Sequence, residues 1–195
     1  MQSITMKWVG KRPMLMHNGR LADPMDEYTR AIKKMTAKGS KKMTDDDHAE
    51  RDKQEWMGSL YWDEQAKGLY IPSDNVNRCI IDGARNSRLG KDFSAGVIVD
   101  DCKIKLHHRM SGKSMAEIYA NPAYTMRKGV SVNESRVIRV RPLIPTEWWI
   151  QFEVSYDPEI IPSRQSLIEA AEQAGDLIGL GDWRPRFGRF DVEAT

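Results

Sequence analysis

The chain predicts an α+β fold, a β-α-β-β-α-β core interrupted by two excursions. Three observations lead there. Apolar residues alternate with period two in the opening residues and again at 97–106, 136–141 and 148–156. Two segments with helical spacing, one after Pro72 and one after Pro162, stand between those strands. A short loop dense in glycine and arginine joins the last helix to a closing strand at Phe187–Glu193.

The first strand is expected over residues 3–16, where Ile4, Met6 and Trp8 alternate with polar neighbours and Pro13 suits a strand end. Residues 20–66 read as a helical insertion. Asp26 to Lys38 has helical spacing at Tyr28, Ile32 and Met35, and Gly39-Ser40 breaks it. Thr44 and Asp47 resemble a capping box that opens a second helix. Pro24 to Trp56 carries eight basic and eight acidic residues, so this pair is a solvated, charge-balanced element suited to contacts between subunits. Leu69-Tyr70-Ile71-Pro72 is a short strand whose end offers Ser73 or Asp74 as a helix cap. The helix that follows, to about Arg88, places Val76, Ile80 and Ala84 on one stripe and Arg78, Arg85 and Arg88 away from it. Residues 107–135 read as a long loop or hairpin. In the strand at 136–141, Ile138 and Val140 point one way and Arg139 and Arg141 the other. Trp149, Phe152 and Val154 are the expected core of the next strand, and only one of Trp148 and Trp149 can face inward. Ser163 opens the last helix, with Leu167, Ala171, Ala174 and Ile178 on one stripe. The order is the ferredoxin-like (RRM-like) plan, in one domain over 1–195 with the excursions at 20–66 and 107–135.

Composition narrows the function. The net charge is only +2, which excludes a globally cationic surface and leaves room for a local basic patch. The two cysteines, Cys79 and Cys102, form no spaced motif, as expected of free thiols in a reducing cytoplasm. The opening residues lack a charged-then-apolar leader, and no window approaches a membrane span, so a cytoplasmic location without a membrane partner is expected.

The loop Gly179-Leu180-Gly181-Asp182-Trp183-Arg184-Pro185-Arg186-Phe187-Gly188-Arg189-Phe190 holds three glycines, three arginines and three aromatics. Glycine admits close approach of the backbone, arginine offers bidentate phosphate contacts, and aromatic faces stack on bases. With Arg139 and Arg141, the residues Arg184, Arg186 and Arg189 form a candidate phosphate-binding set; Gly179, Gly181 and Gly188 would allow approach and Trp183 would stack. Against it stands a tight turn whose Trp183 and Phe187 are core. A dinucleotide site is excluded because the loop follows a helix and precedes a strand.

The same residues carry a resemblance. Arg186-Phe187-Gly188-Arg189 is similar to the Gly-aromatic-Gly-Arg loop ending of the repeat-associated mysterious protein superfamily, whose best-known members are the Cas7 backbone subunits of CRISPR effector complexes; arginine replaces the first glycine. Gly179-Leu180-Gly181 resembles the loop's opening half. Tyr70-Ile71-Pro72-Ser73 resembles the Tyr-Ile-Pro-Gly-Ser segment before the first helix of that family, and Arg12-Pro13-Met14-Leu15-Met16 is a vaguer match. The matches cover about 30 residues spread across the chain. The resemblance implies a Cas7-like protein, for instance a stand-alone phage-encoded relative working in an infected bacterial host. Such a protein binds single-stranded RNA or DNA without sequence preference and assembles side by side into a filament, with residues 107–135 as its protruding hairpin.

Catalysis finds little support. His17 is the general acid/base candidate for a metal-independent ribonuclease, and Asp23 and Asp26 lie in the loop after the first strand, but no partner motif accompanies any of them. Asp100-Asp101-Cys102 with His107-His108 lacks metal-ligand spacing, and Asp45-Asp46-Asp47 suits a helix N-terminus. No cofactor or metal is expected. The reading is a non-enzymatic binding protein, the alternative a structural or virion interaction protein.

Overall fold

The computed structural model describes residues 1–37, 39, 42–132 and 135–194. In chain order the elements are β1 (Gln2–Gly10), β2 (Met14–Leu15), α1 (Glu27–Thr36), α2 (Asp45–Ser59), β3 (Trp62–Asp63), β4 (Gly68–Pro72), α3 (Ser73–Ala84), α4 (Gly90–Gly96), β5 (Val97–Val99), β6 (Lys103–His107), α5 (Met115–Ala120), β7 (Thr125–Val132), β8 (Ser135–Ile144), β9 (Trp149–Tyr156), α6 (Arg164–Gln173) and β10 (Phe190–Ala194). The fold is a mixture of α-helices and antiparallel sheet, as expected. The chain divides into two compact units where the sequence predicts one domain. The first is Met1–Leu15, Trp62–Gly112 and Ile144–Thr195; the second is Met16–Tyr61 and Lys113–Leu143. Most of each predicted excursion falls in the second unit. The tail of the first contributes β3, and the head of the second the end of β6, to the first unit.

The first unit is built on a sheet in the order β10-β1-β9-β6-β4-β3, with β5 also pairing to β9 and every pairing antiparallel. Alternation in β1 buries Ile4, Met6 and Trp8. Trp8 stacks on Phe190 at 4.0 Å and meets Phe152 edge-on at 5.1 Å, so β10, β1 and β9 share one aromatic cluster. The predicted strand 3–16 is two pieces, because the chain turns at Lys11–Pro13 before β2. In β9 the inward residues are Ile150, Phe152, Val154 and Tyr156. Trp149 is therefore on the opposite face, stacked on His107 with ring centres 3.6 Å apart, and Trp148 is the core tryptophan. Gly10 makes room for it: a Cβ there would stand 2.3 Å from the Trp148 ring.

Helix α3 buries Val76, Ile80 and Ala84, the expected stripe. Its N-cap position is Pro72 and no side chain caps it, so neither Ser73 nor Asp74 has the anticipated role. It packs against α6 at van der Waals limit, since a Cβ on Gly83 would lie 2.1 Å from the Ala170 carbonyl oxygen. Ser163 caps α6 as expected, accepting from the Ser166 N–H at 3.1 Å.

In the second unit Asp26 is the N-cap of α1, and the Thr44–Asp47 capping box of α2 is present in both directions. Gly58 lets α2 meet Leu21 and Tyr28; a Cβ there would be 2.6 and 2.9 Å from them. Trp56 is buried, and its Nε1 donates to the Tyr124 carbonyl at 2.9 Å. Residues 107–135 are more regular than a loop: α5 has its own capping box, Ser114 with Glu117, and β7 pairs with β8 in a long antiparallel hairpin. Ser40, in the expected break after α1, and Glu134, the acid among the arginines of 127–141, lie outside the described residues.

Candidate functional site

The glycine–arginine loop is fastened to its own unit at both ends. Helix α6 runs into a π-helical turn, Ala174–Ile178, which closes when the Gly179 N–H donates to the Ala174 carbonyl at 2.8 Å. Leu180 N–H then donates to Gly188 carbonyl, Gly188 N–H to Pro13 carbonyl and Asp182 N–H to Leu15 carbonyl, each at 2.8 Å. The β1–β2 turn reciprocates through Lys11 and Arg12, whose N–H groups donate to the Arg189 carbonyl. The three loop glycines have positive φ, and the space a Cβ would take is occupied by backbone of this chain: Phe187 oxygen at Gly179, Leu15 oxygen at Gly181, Leu180 oxygen at Gly188. The close approach that glycine permits here is between segments of the protein itself.

Trp183 also has positive φ, 53°, and its ring is half-buried, as is that of Phe187 at 6.3 Å between centres. Neither belongs to the buried core, which the loop reaches through Leu180 and Phe190. Arg186 is exposed and stands 5.9 Å over the Phe187 ring. Arg189 donates from Nε to the Pro185 carbonyl at 3.0 Å. Arg184 turns toward α3, with Nη1 3.9 Å from Asp82. Beside it the buried Cys79 donates from Sγ to the Gly179 carbonyl at 3.3 Å; burial pushes this thiol up to about 12, against the pull of Arg184. Lys11, close by, is held by Asp176 and Asp191 at 2.7 and 2.9 Å.

No family model and no curated protein matches this chain.

Arg139 and Arg141 are in the second unit, on the face of β8 that meets the acids of α2. Arg141 is only 8% exposed, and its Nη1 bonds Glu55 at 2.7 Å; Arg139 is 3.8 Å from the same carboxylate and half-exposed. Arg127 pairs with Asp52 at 2.8 Å. Of the two arginines that alternation sets on one face, Arg141 is thus buried against Glu55, while Arg139 stays half-exposed beside the same carboxylate. Val137, Ile138 and Arg139 line a cavity of about 480 Å³ with His17, Leu21 and Ile32.

Of the weaker candidates, His17 has an exposed side chain at the edge of that cavity, and its backbone carbonyl accepts from the Tyr61 hydroxyl. Asp23 closes a turn through the Met25 N–H at 2.8 Å, and Asp26 pairs with Arg20 at 2.8 Å while capping α1. Asp100 accepts from the Ser155 hydroxyl. Among the described residues no group of three or more His, Cys, Asp or Glu side chains stands close enough to hold a metal, and no helix is long and apolar enough to cross a membrane.

His108 offers a pH-dependent readout. Its Nδ1 accepts from the Met110 N–H at 3.3 Å, and burial, with His107 beside it, lowers its pKa to about 4. The native state stays neutral where the unfolded chain takes up a proton, so stability falls as pH drops from about 6.5 to about 4. His108→Asn keeps an acceptor and does not titrate. Its unfolding free energy should change less than wild type between neutral pH and about pH 5 in denaturant titrations; equal changes would assign the acid sensitivity elsewhere.

Proposed function

We propose that this chain is a non-enzymatic protein that binds single-stranded nucleic acid without sequence preference, through the loop between α6 and β10. The observation that carries the reading is the loop's surface. Arg184 and Arg186 are exposed and Arg189 half-exposed, around the half-buried rings of Trp183 and Phe187, and Asp182 is the one acid between Gly179 and Phe190. Arginine forks suit phosphate oxygens, and half-exposed rings suit unpaired bases. Of the strand pair Arg139 and Arg141, Arg139 keeps the accessible charge.

The fold part of the proposal is a ferredoxin-like core in the first unit. Taking β1, α3, β6, β9, α6 and β10 gives the β-α-β-β-α-β order, and the sheet sets β10 beside β1 and β9 between β1 and β6. A Cas7-like relationship, and side-by-side assembly into a filament through α1 and α2, complete it by analogy of fold and loop.

The test is fluorescence anisotropy with labelled single-stranded RNA, single-stranded DNA and duplex DNA at several salt concentrations. Wild type should prefer a single strand. Arg184→Ala with Arg186→Ala should weaken binding alike for all sequences and make the salt slope shallower by about 1.4, since each phosphate neutralised on a single strand adds about 0.7. Unchanged affinity in the folded double variant would remove the loop from the interface. Salt-insensitive self-association without nucleic acid binding would favour a structural or virion protein, and strand loss dependent on His17 a ribonuclease.

A further inference from the structure

Helix α3 and the short helix after it frame a second basic surface in the first unit. A groove of about 660 Å³ is lined by Arg78, Ile81, Arg85, Arg88, Gly90 and Lys91. All four of its cationic side chains are exposed. The carboxylate that meets them is Asp82, and three guanidinium groups share it: Arg78 at 3.0 Å, Arg85 at 2.7 Å and Arg184 at 3.9 Å. The groove's lining holds four cations and no acid, a local excess of positive charge in a protein whose net charge is only +2. The groove's shape has a backbone cause. After α3 the chain makes a 3-10 turn, Arg85–Ser87, and Arg88 takes a left-handed conformation, φ 62°, that reverses it into α4. Gly90 sits where the stem of Arg85 lies; a Cβ there would be 2.6 Å from Arg85 Cγ.

Arg184 belongs to both surfaces. It leaves the glycine–arginine loop and ends at Asp82, between Arg78 and Arg85 on α3. Through Asp82 the loop's Arg184 thus adjoins Arg78 and Arg85 of the groove.

We propose that the α3–α4 groove is a phosphate-binding track, and that its occupant is the sugar–phosphate backbone of the single strand held by the loop. This rests on the nucleic-acid reading above. A polyanion fits because the groove is open, strongly cationic and poor in aromatic faces: it grips charge, whereas the loop also offers rings.

Arg88→Gly with Lys91→Ala tests it. Glycine accepts the positive φ at position 88, neither side chain is buried, and both lie outside the loop. The expected result is that wild type binds a long single-stranded oligonucleotide more tightly than a short one. The variant should lose that advantage and show a salt slope shallower by about 1.4 on the long strand, while its affinity for the short strand is unchanged. A wild-type protein that binds no single strand would overturn the loop reading and the track together. Wild-type binding with an unaltered slope in the variant would overturn the track alone. Tripolyphosphate displacing the long strand from wild type, but not from the variant, at matched phosphate concentration would mark a site for small phosphates and overturn the polynucleotide assignment.

Discussion

Gly188→Ala is expected to destabilise the first unit by about 2–5 kcal/mol, from left-handed strain of about 1–2 kcal/mol and overpacking of about 1–3 kcal/mol. The residue has φ 75°, and a Cβ would stand 1.7 Å from the Leu180 carbonyl oxygen and 2.8 Å from the Leu180 nitrogen. Those neighbours are backbone atoms, already held: Leu180 N–H donates to Gly188 carbonyl, and Gly188 N–H to Pro13 carbonyl. No rotamer change relieves the clash. Two other glycines calibrate it. Gly112 has φ 87° and open space around its Cβ position, so Gly112→Ala carries the strain alone, about 1 kcal/mol. Gly19 has open space and no positive φ, so Gly19→Ala should be near neutral. Denaturant unfolding of the three variants should rank them in that order. A Gly188→Ala protein as stable as Gly19→Ala would mean that the loop does not close on Leu180.

Glu55→Ala is expected to destabilise the second unit by about 3 kcal/mol, because it leaves the Arg141 guanidinium buried without its carboxylate. The two side chains are each 9% exposed and bonded at 2.7 Å. Arg141 Nη1 also donates to the Val140 carbonyl at 3.2 Å, which softens the loss but supplies no charge. Replacing both members together, Glu55→Leu with Arg141→Met, should recover most of that stability, since apolar groups of similar size carry no desolvation cost. The double-variant cycle gives the coupling directly. A Glu55→Ala loss below about 1 kcal/mol would show that water reaches Arg141, and would return this arginine to the pool available for phosphate.

These two sites also mark how far the sequence is legible. The Thr44–Asp47 box, the Ser163 cap and the α3 stripe of Val76, Ile80 and Ala84 are readable because each depends on residues within one or two turns of each other. The alternation of β1 is readable for the same reason. In β9 the expected core is right at Phe152 and Val154 and wrong at Trp149. Trp149 and Phe152 cannot both face inward, being an odd number of positions apart, and Trp148, two before Ile150, is the core partner. The loop at 179–190 stands out by composition, yet composition is silent on its neighbours. The pairs of Asp82 with Arg78 and Arg85 follow helical spacing, but its approach to Arg184 has no signal, because that arginine is far away in sequence.

What the sequence by itself determined is the order and kind of most elements, and the residues rich enough in arginine, glycine and aromatic groups to suggest an anion-binding surface. Periodicity and capping are local, and the backbone answers to them wherever the chain goes. Only the tertiary structure decided which arginines remain accessible. Arg139 and Arg141 look alike along their strand, but α2 sets Glu55 against Arg141 and buries the pair. In the same way α3 brings Asp82 to Arg184, and so joins the loop to the arginines of its own surface. The charge left for a ligand depends on where the opposite charges lie in space, and those are brought close by packing between segments that the sequence keeps apart.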